Sequence, residues 1–162
     1  MDNEYTERNC AEETGRHIAK VQQKLTRFIT DLNGRGLDHD MSKLGHNELP
    51  GFTKLTPLLK GSTYGSPEYR AFLVELKDVL AHHYAVNRHH PEHFQASWYP
   101  NWPLPGIECM TLVDLMEMLS DWMAAAERHA DGDILISLIK NLERFHISHE
   151  LYCILRNTVA SF

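Results

Sequence analysis

The stretch TLVDLMEMLSDWMAAAERH, residues 111–129, decides the fold class. Leu112, Leu115, Met116, Leu119, Trp122, Met123 and Ala126 recur every three or four positions, the spacing of one face of an α-helix and not the alternation of a strand. Thr111 stands where an N-cap side chain accepts a backbone N–H, and Thr111-Leu112-Val113-Asp114 resembles a capping box. Asp114, Glu117 and Asp121 share the face away from the leucines. Glu117 and Asp121 are like charges at i, i+4, a pairing that costs a few tenths of a kcal/mol, and no Lys or Arg before Arg128 offsets it. The helix thus faces a core on one side and asks for something positive on the other.

The same periodicity extends along the chain. Ile18, Val21, Leu25, Phe28, Ile29 and Leu32 predict a first helix over residues 11–32, ended by Gly34 and Gly36. Ser66-Pro67-Glu68 is a helix start, with an N-cap serine, a proline at the first helical position and an acid in the first turn. That helix should reach Asn87. Two more are expected over residues 134–145 and 148–159. Pro50, Gly51, Pro57 and Gly61 mark a loop-rich stretch with one or two helical turns, and SWYPNWPLPGIE, residues 97–108, reads as an ordered loop or lid. With no strand alternation and no internal repeat, the expectation is an all-α protein: a compact bundle of about five to seven helices, one domain over residues 1–162.

Composition narrows the function classes. The 162 residues are 43% hydrophobic and 23% charged, a globular balance. No apolar run approaches the roughly 20 residues needed to cross a bilayer, and the acidic start MDNEYTERN lacks signal-peptide character, so a cytoplasmic protein without membrane association is expected. Cys10, Cys109 and Cys153 are too few and too scattered for a zinc knuckle or a disulfide framework. A net charge of −6 gives no general attraction to nucleic-acid phosphates and disfavours a polynucleotide partner. A small anionic ligand stays compatible, because a bound cation would invert the local charge. A homo-oligomer is also compatible with the sequence.

Histidine is where the composition departs from the ordinary: there are 11, and five of them fall between positions 82 and 93. His39-Asp40, followed by Met41-Ser42-Lys43, offers a nitrogen and an oxygen to one divalent ion. A bare His-Asp is also what a solvated turn with an N-capping aspartate looks like, so its surroundings decide. The acidic face with Asp121 and Glu117 points to a metal. So does helical phase in the second long helix, which places His83 with Tyr69, Phe72, Leu73, Leu76 and Leu80 and sends His82 to the opposite side. Pro91 ends that helix, so His89, His90 and His93 lie on a turn close to His83, where a metal would keep massed imidazoles neutral. His17 lies at the edge of the first helix's apolar stripe.

Taken in order, His17, His39-Asp40, His83, His89-His90 and Asp121 resemble the signature of the HD-domain superfamily, all-helical metal-dependent phosphohydrolases. The segments HDMSK, NRHHPEHF and MTLVDLMEMLSDW look like those of a small uncharacterised HD-like family common in bacteriophage and bacterial genomes. The resemblance implies a primary metal site of His17, His39, Asp40 and Asp121. It also implies that Asp40 can bridge to a second ion held by His83 and His89 or His90. Lys43 matches a basic position that meets substrate phosphate in some HD enzymes.

The chemistry then expected is phosphoester hydrolysis by one or two divalent ions, with Mn, Mg, Co, Fe, Ni and Zn not distinguished by these donors. Asp40, Lys43 and Glu117 would be catalytic, with Glu117 or Glu92 orienting a ligand or acting as general base. Lys43 and Arg88 would neutralise charge on the phosphate, and Trp98, with Tyr99 and Trp102, could stack on a base. The expected substrate is a nucleotide or similar small phosphoester. The alternatives are an HD-fold di-iron oxygenase and a non-catalytic phage or host interaction protein that retains the metal-binding scaffold.

Overall fold

The computed structural model describes residues 5–62, 66–95, 106–128 and 132–162, and Trp98 lies outside them. The described residues form seven α-helices and three short 3-10 segments, with no strand among them. None of these helices is long and apolar enough to cross a membrane. The chain forms two units, Met1–Leu37 and Asp38–Phe162.

The first unit is essentially one helix, α1, Glu7–Asp38. It passes through Gly34 and Gly36, which therefore do not end it. A helical glycine costs about 1 kcal/mol relative to alanine but clashes with nothing, so a long helix carries two of them. No residue of α1 is buried, and its apolar stripe, Ile18, Val21, Leu25, Phe28 and Ile29, is exposed.

The second unit begins with a 3-10 turn, Met41–Leu44, followed by α2, Leu49–Gly61. Sequence reading expects mostly loop across α2 because of its prolines and glycines. Pro50 occupies the first turn, where a missing N–H costs nothing, and Pro57 is carried inside the helix. Gly51 is needed for a close approach: a Cβ there would stand 2.6 Å from Cγ2 of Val79.

Sequence reading expects one helix from residue 67 to 87. The structure has two, α3, Pro67–Glu75, and α4, Lys77–Val86, hinged at Leu76. Leu76 is itself buried, with Cδ2 on the side of Gly51 in α2, so the hinge turns the chain around a packed side chain. Ser66 caps α3 by accepting from the Tyr69 N–H at 3.1 Å.

The last three helices, α5, Leu112–Ala126, α6, Ile134–Phe145, and α7, His149–Val159, pack in sequence order, α5 on α6 and α6 on α7. Their shared core holds Met118, Leu119, Leu138 and Leu155, with Ile107 and Ile147 closing it and the Trp122 and Phe145 rings stacked 6.1 Å apart. Met118, absent from the expected apolar face, is fully buried, whereas Leu112 and Met116 are exposed. The buried stripe is therefore rotated from the simple heptad reading. Asp133 and Ser148 cap α6 and α7 by accepting backbone N–H groups of their first turns.

The capping box at the start of α5 is complete. Thr111 Oγ1 accepts from the Asp114 N–H at 3.2 Å, and Asp114 Oδ2 accepts from the Thr111 N–H at 2.8 Å. Thr111→Ala should lower the unfolding free energy by ~1 kcal/mol, read as a lower urea midpoint with unchanged slope. An unchanged midpoint would show that the cap does not hold the helix.

Candidate metal centre

Four segments of the second unit bring their donors together. His39 and Asp40 lie where α1 gives way to the 3-10 turn, His83 is on α4, His89 and His90 are on the following turn, and Glu117 and Asp121 are on α5. Asp40 adopts a left-handed backbone, φ 59° and ψ 11°, a region that Asp and Asn tolerate better than other side chains. Although it stands at the N-cap position, its side chain makes no capping bond. The carboxylate is turned toward the histidines instead. On the other side Asn87 ends α4, and its amide donates to the His83 carbonyl oxygen and to Ser42 Oγ, both at 2.8 Å. That tie holds the His89-His90 turn beside the Asp40 segment.

Asp40, His83, His89 and His90 each present one ligand atom, and these atoms lie within 4.8 Å of one another. His39, His89 and Asp121 form a second such group. His83 and His89 are each only 1% exposed. Asp40 Oδ1 stands 3.3 Å from His83 Nε2 and 3.6 Å from His89 Nε2, while His39 Nε2 is 3.5 Å from both Asp40 Oδ2 and Asp121 Oδ1. His83 Nε2 and His90 Nε2 face each other at 2.9 Å. Two ring nitrogens at that distance must share a proton or a cation.

The far side of each ring decides which nitrogen is free. A carboxylate only accepts, so an imidazole nitrogen hydrogen-bonded to one carries the proton. Nδ1 of His39 donates to Glu117 Oε1 at 3.0 Å, and Nδ1 of His89 lies 3.0 Å from the same oxygen in an ion-pair contact. Both rings therefore turn Nε2 inward. His89 Nε2 and Asp40 Oδ1 are buried and have no hydrogen-bond partner among the described residues. Unpaired lone pairs buried at one place are costly, and a cation between them removes the cost. The donor set of imidazole nitrogens and carboxylate oxygens suits a divalent transition metal. The second unit thus contains a buried His/Asp cluster that fits a metal ion.

Electrostatics agree. Burial opposes ionisation of Asp40, but its polar neighbours, with the Lys43 ammonium paired to Oδ2, outweigh burial and hold its carboxyl well below the usual carboxylate range. Burial, followed by the nearby His89 and His83, pushes His90 down to about 2. Burial, with His39 beside it, also lowers His89. A neutral imidazole is the form that ligates metal.

His17 is an exposed residue of α1, in the first unit. Lys43 pairs with Asp40 Oδ2 and lies 5.3 Å over the Phe52 ring. Arg88 donates to Asp114 through Nε at 3.2 Å and Nη2 at 3.1 Å, and lies over the Phe94 ring. It thereby helps to neutralise a fully buried carboxylate at the α5 cap. Glu92 pairs with Arg144, and His93 Nδ1 donates to the Tyr84 carbonyl oxygen at 3.0 Å. Of the two acids considered for orienting a ligand, Glu117 is the one that contacts cluster histidines.

Sequence reasoning missed Glu48. It precedes Leu49-Pro50, so its only sequence signal is that of a helix-capping acid, yet its side chain makes no capping bond. It is fully buried, and His82, His83 and Ser42 all donate to it. Burial alone would raise its pKa; those donors outweigh burial and lower it.

The chain belongs to a family of unknown function, DUF5662, whose model matches residues 6–161. No curated protein and no solved structure matches it.

Proposed function

We propose that this chain is a metal-dependent phosphohydrolase of the HD-like type, acting on a nucleotide or another small phosphoester. The observation that carries the reading is the pair of buried, unpartnered lone pairs, His89 Nε2 and Asp40 Oδ1, inside a cluster of inward-facing imidazoles. Asp40, His83, His89 and His90 would hold one divalent ion; the overlapping group of His39, His89 and Asp121 shares His89, whose single free nitrogen serves one ion, so a second ion would rest on His39 and Asp121 beside the Asp40 carboxylate. An ion held there supplies Lewis acidity, making water acidic enough to yield hydroxide at neutral pH and polarising a phosphoryl oxygen.

The chain's own residues do the positioning. Glu117 keeps the His39 ring oriented by accepting its Nδ1–H and stands against Nδ1 of His89, which suits an orienting role better than that of a general base. Lys43, about one-third exposed at the rim of the cluster, is placed to exchange its pairing with Asp40 for a substrate phosphate oxygen. Arg88 keeps the Asp114 cap neutralised and so supports the helix that carries Glu117 and Asp121.

The test is phosphate release from a panel of nucleotides and small phosphoesters by protein loaded in turn with Mn, Mg, Co, Fe, Ni and Zn. Release that depends on the ion and disappears with a chelator is expected. Absence of release with every ion would overturn the reading, and oxygen consumption after anaerobic iron loading would replace it with oxygenase chemistry.

A further inference from the structure

Three of the four cluster imidazoles, His39, His83 and His89, have Nδ1 against a carboxylate, but only two of those contacts are made by Glu117. The third is made by Glu48, from the turn that leads into α2. We propose that Glu48 is a positioning residue of the metal centre: it holds His83 in the tautomer that leaves Nε2 free to bind the ion. This rests on reading the cluster as a metal centre.

Both oxygens of Glu48 are committed. Oε1 accepts from His82 Nδ1 at 2.7 Å; Oε2 accepts from His83 Nδ1 at 2.8 Å and from Ser42 Oγ at 3.0 Å. The Asn87 amide nitrogen also lies 2.9 Å from His83 Nδ1, but its two hydrogens are used on Ser42 Oγ and the His83 carbonyl oxygen. The proton between His83 and Glu48 therefore belongs to Nδ1. His82 follows the same pattern, since its Nε2 accepts from Asn47 Nδ2 at 3.1 Å. With Nδ1 protonated, His83 Nε2 is a lone pair, and it faces Asp40 Oδ1 and His90 Nε2.

Burying a carboxylate is expensive, and a helix start has a cheaper use for one as a solvent-facing cap. Glu48 forgoes that use and spends its burial on two histidine rings and a hydroxyl. An imidazole whose outer nitrogen is held by a carboxylate is fixed in orientation and is a more basic ligand; losing such a partner typically weakens metal binding about 10–100-fold. The adjacent His82 and His83, expected on opposite sides of the helix but about 100° apart in phase, are thus joined through one side chain that neither the histidine pattern nor the His-Asp pair reveals.

The experiment compares wild type, Glu48→Met and Glu48→Gln. Methionine keeps the bulk and removes both acceptors. Glutamine keeps one acceptor, which can face His83 while the partly exposed His82 changes tautomer. Two quantities are read: the ¹⁵N shifts of the His83 ring in metal-free, ¹⁵N-histidine-labelled protein, and cobalt(II) affinity by calorimetry. Wild type should show Nδ1 protonated and Nε2 bare. Glu48→Met should shift His83 toward the Nε2–H form and bind cobalt(II) about 10–100-fold more weakly, and Glu48→Gln should recover most of both.

A wild-type His83 with the proton on Nε2 overturns the proposal, and so does a folded Glu48→Met chain with wild-type cobalt affinity. Should Glu48→Met fail to fold, the wild-type ring shifts and the affinity of Glu48→Gln decide it: a glutamine variant that folds but binds no better than about 100-fold below wild type contradicts the expected recovery. Wild-type protein that binds cobalt(II) tightly but hydrolyses no phosphoester overturns only the hydrolase reading. Wild-type protein that takes up no cobalt(II) overturns both.

Discussion

Asp40→Asn should reduce divalent-ion affinity by more than the roughly 10–100-fold expected from losing a ligand-orienting group, while leaving the chain folded. Asparagine matches aspartate in shape and tolerates the left-handed backbone at this position, so the turn after α1 is kept. What changes is the charge. Asp40 supplies a carboxylate to the four-residue donor group, and its Oδ2 is also near the His39 ring, so both ends of the cluster lose electrostatic attraction for a cation. A neutral amide replaces an anion that is paired with the Lys43 ammonium and held below its ordinary range. Calorimetric titration with manganese(II) or cobalt(II), alongside far-ultraviolet circular dichroism, measures the effect. Affinity within a few-fold of wild type would remove Asp40 from the ligand set, and with it the reading of the centre. Loss of affinity without loss of helix content is the expected outcome.

The metal-free chain should also become less stable as pH falls below about 6.5, the usual value for a histidine in an unfolded chain. His90 is lowered to about 2 in the folded chain by burial and by the His89 and His83 rings. Between those values the unfolded chain binds a proton that the folded chain does not, so stability decreases with falling pH. By pH 4 this one residue accounts for a loss of ~3 kcal/mol, an order-of-magnitude figure for a ring surrounded by other titrating groups. His89, lowered by burial and by His39, acts in the same direction. The Asp40 carboxyl, held below its ordinary range, adds to the loss as pH falls below the unfolded carboxylate value of about 4. Urea midpoints at pH 7, 5.5 and 4 in the presence of a chelator test this. A flat profile from pH 7 to 4 would mean that these rings protonate freely in the folded chain.

The sequence made different parts of the structure legible for different physical reasons. The starts of α3 and α5 could be read because Ser66 and Thr111 act locally: each cap is satisfied by its own first turn. α6 and α7 were readable from apolar spacing, and their caps, Asp133 and Ser148, emerge only in the structure. What failed was decided by packing. Gly51 looks like a helix breaker in isolation, but its missing Cβ makes room for Val79, a residue 28 positions away. Leu76 looks like one more apolar position in a continuous helix, yet the structure hinges there. Met118 takes the buried place expected of Leu112 and Met116 because the core that α5 shares with α6 and α7 lies on a stripe rotated from the one its spacing suggests, and that rotation is set by packing.

The candidate centre divides in the same way. His39-Asp40, His83, His89-His90 and Asp121 are visible because imidazoles and carboxylates are concentrated at helix-compatible spacing. Sequence left the work of Glu117 open between orienting a ligand and taking a proton, and the distances to two Nδ1 atoms favour orientation. Glu48 could not be seen, because it reaches His83 only through a turn and a helix that the prolines made look like loop. Arg88 has the charge for a phosphate partner, but it is the Asp114 cap that it meets.

The left-handed turn at Asp40 restricts which residues can occupy this position before chemistry is considered. Glutamate would offer the same charge, yet its longer side chain disfavours that backbone and would place the carboxylate deeper among the rings. Glycine would suit the backbone and offer no ligand. Conformation admits aspartate, asparagine or glycine most readily, and coordination of an ion would select aspartate from these three. On the proposed reading, position 40 is a point where two independent filters overlap at a single amino acid, so drift there should end in loss of the centre rather than in a gradual change of its metal preference.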